Sequence, residues 1–142
     1  MDARALVLAM LMTVSSAQAV EVTKVGDLEL HCVAVPTMEL TPEAAKAYNV
    51  TPSPERGLLT ITLLRKNRAG EAKSVAGQVY AGAVNQRNNL SSIPIREMRQ
   101  GEETFYLGEY RVSPPDTLRF LVNANVLGKI MKAEFARAFS AP

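Results

Sequence analysis

The stretch Arg56-Gly57-Leu58-Leu59-Thr60-Ile61-Thr62-Leu63-Leu64-Arg65-Lys66 constrains the fold more than any other part of the chain. It alternates, is rich in β-branched residues and ends in a run of turn formers from Lys66 to Glu71. Side chains of an extended chain point to opposite faces with a period of two. Leu59, Ile61 and Leu63 therefore share one face, and Leu58, Thr60, Thr62 and Leu64 the other. Two partly apolar faces predict a strand inside a packed β-domain, not a solvated edge. One face belongs to a core between sheets. The other needs a cover, and the segment arriving just before it supplies the candidate.

That segment is the one convincing local helix, Thr41 to Tyr48. Thr41 is a good N-cap, Pro42 suits the first helical position, and Glu43 adds negative charge at the positive end of the helix dipole. Two turns are marginal alone, so the helix is expected to lean on the sheet through Ala44, Ala47 and Tyr48. Asn49, Pro52 and Pro54 stop it.

The remaining strands follow from alternation and turn residues. Asp27 to Val35 is read as the first strand, with Leu28, Leu30, Cys32 and Ala34 buried, Glu29 and His31 opposite, and Pro36 as its end. Lys73 to Val84 reads as one long strand, with Val75, Val79, Ala81 and Ala83 on the face of Gly77, and Gln78, Tyr80 and Val84 on the other. Its glycines 77 and 82 suggest a bulge or a close backbone approach. Asn85 to Ser92 reads as a loop. Ile93 to Gln100 and Thr104 to Val112 form a hairpin, with Pro94 marking an edge or an irregular start. Thr117 to Ala124 places Leu118, Phe120 and Val122 inward. Gly128 to Phe139 fits either a helix or a closing strand, because Met131, Phe135 and Phe139 share a face in both.

The N-terminus carries a targeting signal. Arg4 precedes an apolar run from Ala5 to Val14, too short to span a bilayer, and Ala17 and Ala19 form an A-x-A site, so residues 1–19 are expected to be a cleaved signal peptide. Val20 to Pro142 is the size of one domain and lacks a second run long enough for a transmembrane helix. An exported, periplasmic protein with no transmembrane segment after cleavage is the expectation. The formal net charge is +2, and bases and acids alternate along the chain. This argues against a nucleic-acid footprint and against a polybasic membrane patch. The absence of tryptophan makes a carbohydrate platform a poor reading.

Several segments, in order, resemble the family known as domain of unknown function 4426, small exported proteins of proteobacteria. They are Gly26-Asp27 leading a strand that carries His31, and Leu40 with Pro42-Glu43-Ala44-Ala45-Lys46-Ala47-Tyr48. Arg56-Gly57-Leu58-Leu59, Arg96-Glu97, Phe105-Tyr106-Leu107 and Thr117-Leu118-Arg119-Phe120 complete the set. The chain departs from the pattern at Cys32, where a tyrosine would be usual, and in the alanine-rich Ala133 to Ala138. The resemblance implies an immunoglobulin-like sandwich and supplies no catalytic residue, cofactor or substrate. With the strands above, the expected fold is mainly β, an antiparallel immunoglobulin-like sandwich of about seven strands with one short helix.

Chemistry is hard to place in this chain. His31 and Cys32 are neighbours on a strand, so they point to opposite faces and cannot share one ion or one proton. There is no second histidine or cysteine to complete a metal site. Cys32 reads as a buried free thiol, against the alternative of an intermolecular disulfide. No hydrolase, P-loop or dinucleotide motif occurs, and Glu102 and Glu103 sit in a hairpin turn where acids are solvated. No cofactor, metal or enzyme activity is expected. Arg96, Glu97, Glu109, Arg111 and Arg119 form a candidate charged binding face. Tyr80, Tyr106 and Tyr110 are the candidate lining of a pocket between the sheets. The leading expectation is a module that binds another envelope protein. The alternatives are a small-molecule binder using the tyrosine pocket and an assembly subunit that pairs through an edge strand.

Overall fold

Arg56–Lys66 sits where two apolar faces require, in the middle of a sheet. The computed structural model describes residues 19–141. The predicted signal peptide lies outside the described residues except for Ala19. The strands are β1 (Ala19–Val25), β2 (Leu28–Pro36), β3 (Arg56–Lys66), β4 (Ala72–Ser74), β5 (Gln78–Val84), β6 (Leu90–Ile93), β7 (Ile95–Gln100), β8 (Glu103–Arg111), β9 (Asp116–Val126) and β10 (Lys129–Phe139). Between β2 and β3 lie a single 3-10 turn, Thr37–Glu39, and the helix α1, Pro42–Ala47. One sheet runs β1-β2-β3-β8-β7, with β4 paired to the end of β3; the other runs β10-β9-β5-β6. All pairings are antiparallel, and the two sheets form a β-sandwich.

The core lies between the sheets. Leu28, Leu30, Cys32 and Ala34 of β2 and Leu59, Ile61 and Leu63 of β3 meet Leu118, Phe120, Val122, Ala124 and Val126 of β9. Phe120 is its centre, edge-on to Tyr110 at 4.9 Å and stacked on Phe135 at 5.2 Å. Each fully buried aliphatic side chain here contributes about 1.5–3 kcal/mol relative to exposure.

A second, smaller cluster covers the outer face of β3. Leu58, Val50, Phe105 and Leu107 pack together with Val35, Leu40, Tyr48 and Met98 around them. The Thr41 side chain caps α1 by accepting the Ala44 N–H at 3.1 Å. At the other end, Asn49 adopts a positive φ, and the N–H groups of Asn49 and Val50 return to the carbonyls of Lys46 and Ala45. This left-handed stop swings Val50 down into the cluster. Ala45 is the buried alanine of the helix, whereas Ala47 is exposed and Ala44 only half-buried, so the helix presents a contact face displaced from the expected one. The 3-10 turn is held by Thr37. Its hydroxyl lies 2.9 Å from the carbonyl oxygens of both Ser53 and Arg56 and accepts the Ser53 N–H.

Several sequence boundaries change. Lys73 to Val84 is two strands in two different sheets, β4 and β5, separated at Val75–Gly77, where the chain crosses the sandwich. The Tyr106 hydroxyl holds that crossing by accepting the Gly77 N–H at 2.9 Å and donating to the Gly77 carbonyl at 3.0 Å. The predicted loop Asn85 to Ser92 contains most of β6. Ile93 to Gln100 is likewise divided at Pro94, which passes the chain from one sheet to the other. Gly108 makes that passage possible, since a methyl there would come within 2.5 Å of Ile93 and 2.8 Å of Ile95. Gly128 to Phe139 resolves as strand, because every residue from Lys129 to Phe139 pairs with β9. β1 was not expected, and with these divisions the described residues hold ten strands, against about seven.

Candidate functional site

The structure separates the residues grouped by type in the sequence. Tyr106 and Tyr110 are core residues, 4% and 5% exposed, while Tyr80 is 65% exposed on the outer face of the other sheet. Burial pushes both core hydroxyls up from the usual phenol range. The Tyr106 hydroxyl is committed to Gly77, and the Tyr110 ring packs edge-on to Phe120 and Phe139. No pocket among the described residues is lined by all three tyrosines: Tyr80 lies on the far outer face, the Tyr106 hydroxyl is held at Gly77, and Tyr110 borders the cleft at one end of the sandwich.

The charged residues divide in the same way. Arg96, Glu109 and Arg111 lie on the outer face of the first sheet, near Arg56, which approaches Glu109 at 3.9 Å. Arg96 is bound to the α1 end through the Tyr48 carbonyl and to the Met98 sulfur at 3.4 Å. Its job is to hold the helix on the sheet. Arg119 is on the opposite side of the molecule, paired with Glu134 of β10 at 2.8 Å. Glu97 points to the other side of β7 from Arg96, where its carboxylate accepts from the Tyr106 hydroxyl at 3.3 Å. The five residues read as one binding face therefore belong to three, since alternation fixes a side chain's face but not which strands are neighbours.

Cys32 is fully buried and unpaired, its thiol pushed up to about 12 by burial and by the Glu21 carboxylate. The reactive species is the thiolate. The folded protein should therefore resist thiol reagents and run as a monomer without reductant, and label with one equivalent on unfolding. Mass spectrometry after native and denatured alkylation checks this; rapid labelling of folded protein would contradict it.

His31 sits on the outer face, its Nε2 2.8 Å from Glu29, and Glu29 also receives Lys66 at 2.9 Å. The Lys66 ammonium first, and His31 second, hold the Glu29 carboxyl down to about 2 from an ordinary 4.5. The folded state thus binds fewer protons than the unfolded one between those values, so the contribution of Glu29 is complete above about pH 4.5 and is lost as pH falls toward 2. Glu29→Gln should flatten this part of the acid limb; thermal midpoints measured from neutral pH down through that window check it. One Glu29 oxygen ties β2 to the end of β3 through Lys66 and the other holds His31 of its own strand, and no group of three metal-ligating side chains gathers among the described residues.

Three surfaces remain. At one end of the sandwich, the β5–β6 and β8–β9 loops enclose an open polar cleft of about 810 Å³, bordered by Arg87, Glu109, Arg111 and Asp116. A trough of about 540 Å³ runs over Thr60, Thr62 and Leu64 between Tyr48 and the β7–β8 turn, so α1 covers only part of the outer face of β3. The third surface is the outer face of the four-stranded sheet, over which no described element packs. Register aligns its side chains in rows: Ile130, Asn125 and Gln78; Lys132, Asn123 and Tyr80; Glu134, Leu121, Gly82 and Ser92; Ala136, Arg119, Val84 and Leu90. Tyr80, Leu90 and Ile130 are each about two-thirds exposed there. Of this face, sequence reasoning singled out Tyr80 and Arg119. The clean alternation that turns Asn123 and Asn125 outward was the available signal for the rest.

No helix among the described residues is long and apolar enough to cross a membrane, a statement that leaves strands aside. No curated protein matches the chain. A crystal structure of a DUF4426 family protein from Pseudomonas aeruginosa superposes with a TM-score of 0.71 at 19% identity, covering 89% of this chain and 98% of that one. At that identity the likeness speaks for the fold. The profile of DUF4426, a domain of unknown function, matches residues 22–140, every strand from β2 to β10 and the last four residues of β1. The chain belongs to the DUF4426 family.

Proposed function

We propose that this protein is an exported, non-catalytic β-sandwich that binds another protein of the cell envelope through the outer face of its four-stranded sheet. The observation that carries the reading is Tyr80, 65% exposed on an uncovered sheet face among Asn123, Asn125 and Gln78. An exposed tyrosine offers a rigid apolar body with a polar tip, and tyrosine is enriched where proteins bind one another. Tyr80 lies apart from the buried Tyr106 and Tyr110, and this separation removes support from a small-molecule pocket lined by all three. Edge pairing is also disfavoured. β10 carries the inward Arg137, bound to the Ala34 carbonyl at 3.1 Å and to Glu39 at 3.2 Å, and β7 carries Arg96, Glu97 and Arg99. Charges of this kind protect edges from other strands. Export is supported by the position of β1: cleavage after Ala19 leaves Val20–Val25 of the strand in place.

The test places a photo-crosslinker at position 80 or 123 of the full chain in the producing cell, with position 43 on α1 as a control. The expected result is one envelope protein captured from both sheet positions and not from the helix, on a chain whose N-terminus is Val20. Tyr80→Ala should then weaken binding of the purified pair by about tenfold or more without lowering the melting temperature. Absence of a shared partner at positions 80 and 123, or retention of the full leader, overturns the reading.

A further inference from the structure

The β9–β10 hairpin turns on two residues, Leu127 and Gly128, since Val126 pairs with Lys129. Both have positive φ, 53° and 79°, as a two-residue turn matched to strand twist requires. Glycine suits the second position. The first favours asparagine, aspartate or glycine, and a leucine there sets its Cβ against the following carbonyl oxygen. The other non-glycine residues with positive φ, Asn49 and Asn88, are both asparagines. Packing does not explain the exception, because Leu127 is 67% exposed and Ile130, three residues on, 65% exposed. Fold stability alone would choose a different residue at the tip.

Bases far apart in sequence converge around this tip, a grouping that the alternation of acids and bases along the chain argued against. β1 lies beside β10, with the Thr23 hydroxyl donating to the Lys132 carbonyl at 3.0 Å. The β1–β2 turn is beside the β9–β10 turn, where the Lys129 ammonium reaches to 3.3 Å from the place a Cβ would take on Gly26. Asp27 and Glu29, the nearby acids, are engaged by Arg65 at 3.0 Å and Lys66 at 2.9 Å. Lys24, Lys129 and Lys132 are exposed and make no ion pair among the described residues.

We propose that this corner docks on an anionic phospholipid surface, with Leu127 and Ile130 entering the interface and Lys24, Lys129 and Lys132 lying over the headgroups. Two free-standing aliphatic side chains, Leu127 on the turn and Ile130 beside it on β10, bury nothing against a rigid partner unless it offers a matching hole. A lipid interface accepts them in any orientation, and each lysine near it adds affinity for anionic headgroups. This goes beyond the protein-binding reading and centres on the hairpin tip, although Ile130 and Lys132 stand at the edge of the same sheet face as Tyr80.

Cosedimentation of the purified protein with vesicles tests the proposal. The protein should bind mixed phosphatidylglycerol–phosphatidylcholine vesicles and not phosphatidylcholine alone, and should be released by salt. Leu127→Asn separates docking from folding. It should weaken vesicle binding by about tenfold, while the melting temperature rises by about 2–4 °C because asparagine accepts the left-handed turn. Ile130→Thr should weaken binding similarly with the strand retained, and Lys129→Glu should weaken it on the anionic vesicles. Equal binding to both vesicle types, or unchanged binding by Leu127→Asn, overturns the proposal. So does a crosslinker at position 127 that labels a protein while vesicles go unbound, which would reassign the tip to a protein partner.

Discussion

Gly57→Ala should destabilise the protein by about 3 kcal/mol, at the upper end of what overpacking a core costs. The cause is the Tyr110 ring, which lies across Gly57 on the neighbouring strand; a methyl on residue 57 would come within 2.2–2.4 Å of three of its atoms. The ring has little freedom to retreat. It is packed against Phe120 at 4.9 Å and Phe139 at 5.9 Å, and its hydroxyl faces the Val35 carbonyl at 3.4 Å. Urea unfolding of Gly57→Ala, Tyr110→Ala and the double variant checks the mechanism. Removing the ring makes room for the methyl, so the double variant should be less damaged than the sum of the singles. Additive losses would show that the clash is relieved elsewhere.

Phe120→Ala should be the most damaging single truncation, at about 3–5 kcal/mol. Phe120 is fully buried and joins Tyr110 from β8 to Phe135 of the last strand, so its loss leaves a hole between the sheets. A domain of this size has a total stability of about 5–15 kcal/mol, so the variant approaches the threshold of folding. Phe120→Leu should lose much less. Denaturant midpoints of the two variants measure the difference, and near-equal values would mean that neighbouring rings collapse into the space.

The buried faces were legible because a strand's side chains alternate: Leu28 to Ala34, Leu59 to Leu63 and Leu118 to Val122 all point where periodicity puts them. Breaks between strands were not legible by the same rule. Val75, Gly77 and Val79 keep phase across the gap between β4 and β5, so alternation is blind to a change of sheet. The physical marks of the crossings were Gly77 and Pro94. β1 escaped notice because its valines Val20 and Val22 face outward while Glu21 and Thr23 point toward the sandwich, the reverse of the usual pattern. Met131, Phe135 and Phe139 fit helix and strand equally, and the choice lay in the long-range pairing with β9, which outweighs the helix propensity of Ala133 to Ala138. The candidate surfaces were legible one residue at a time. Which strands lie side by side depends on topology, and topology moved Arg119 away from Arg96 and separated Tyr80 from Tyr106.

The adjacency of β1 and β10 has a bearing on when the molecule can finish folding. β1 opens the described chain and β10 all but ends it, yet one flank of the sandwich closes only when the two lie together. A polypeptide emerging N-terminus first has β1 and β2 in hand early, as a local hairpin. It lacks the strand that shuts the flank until Lys129–Phe139 is delivered. Contacts of that sequence separation form late and slowly. Until then Leu28, Leu30 and Cys32 have no Met131 or Ala133 across from them, and the growing chain stays open. Under the proposed export, in which the chain crosses a membrane before it folds, delay of this kind is an asset.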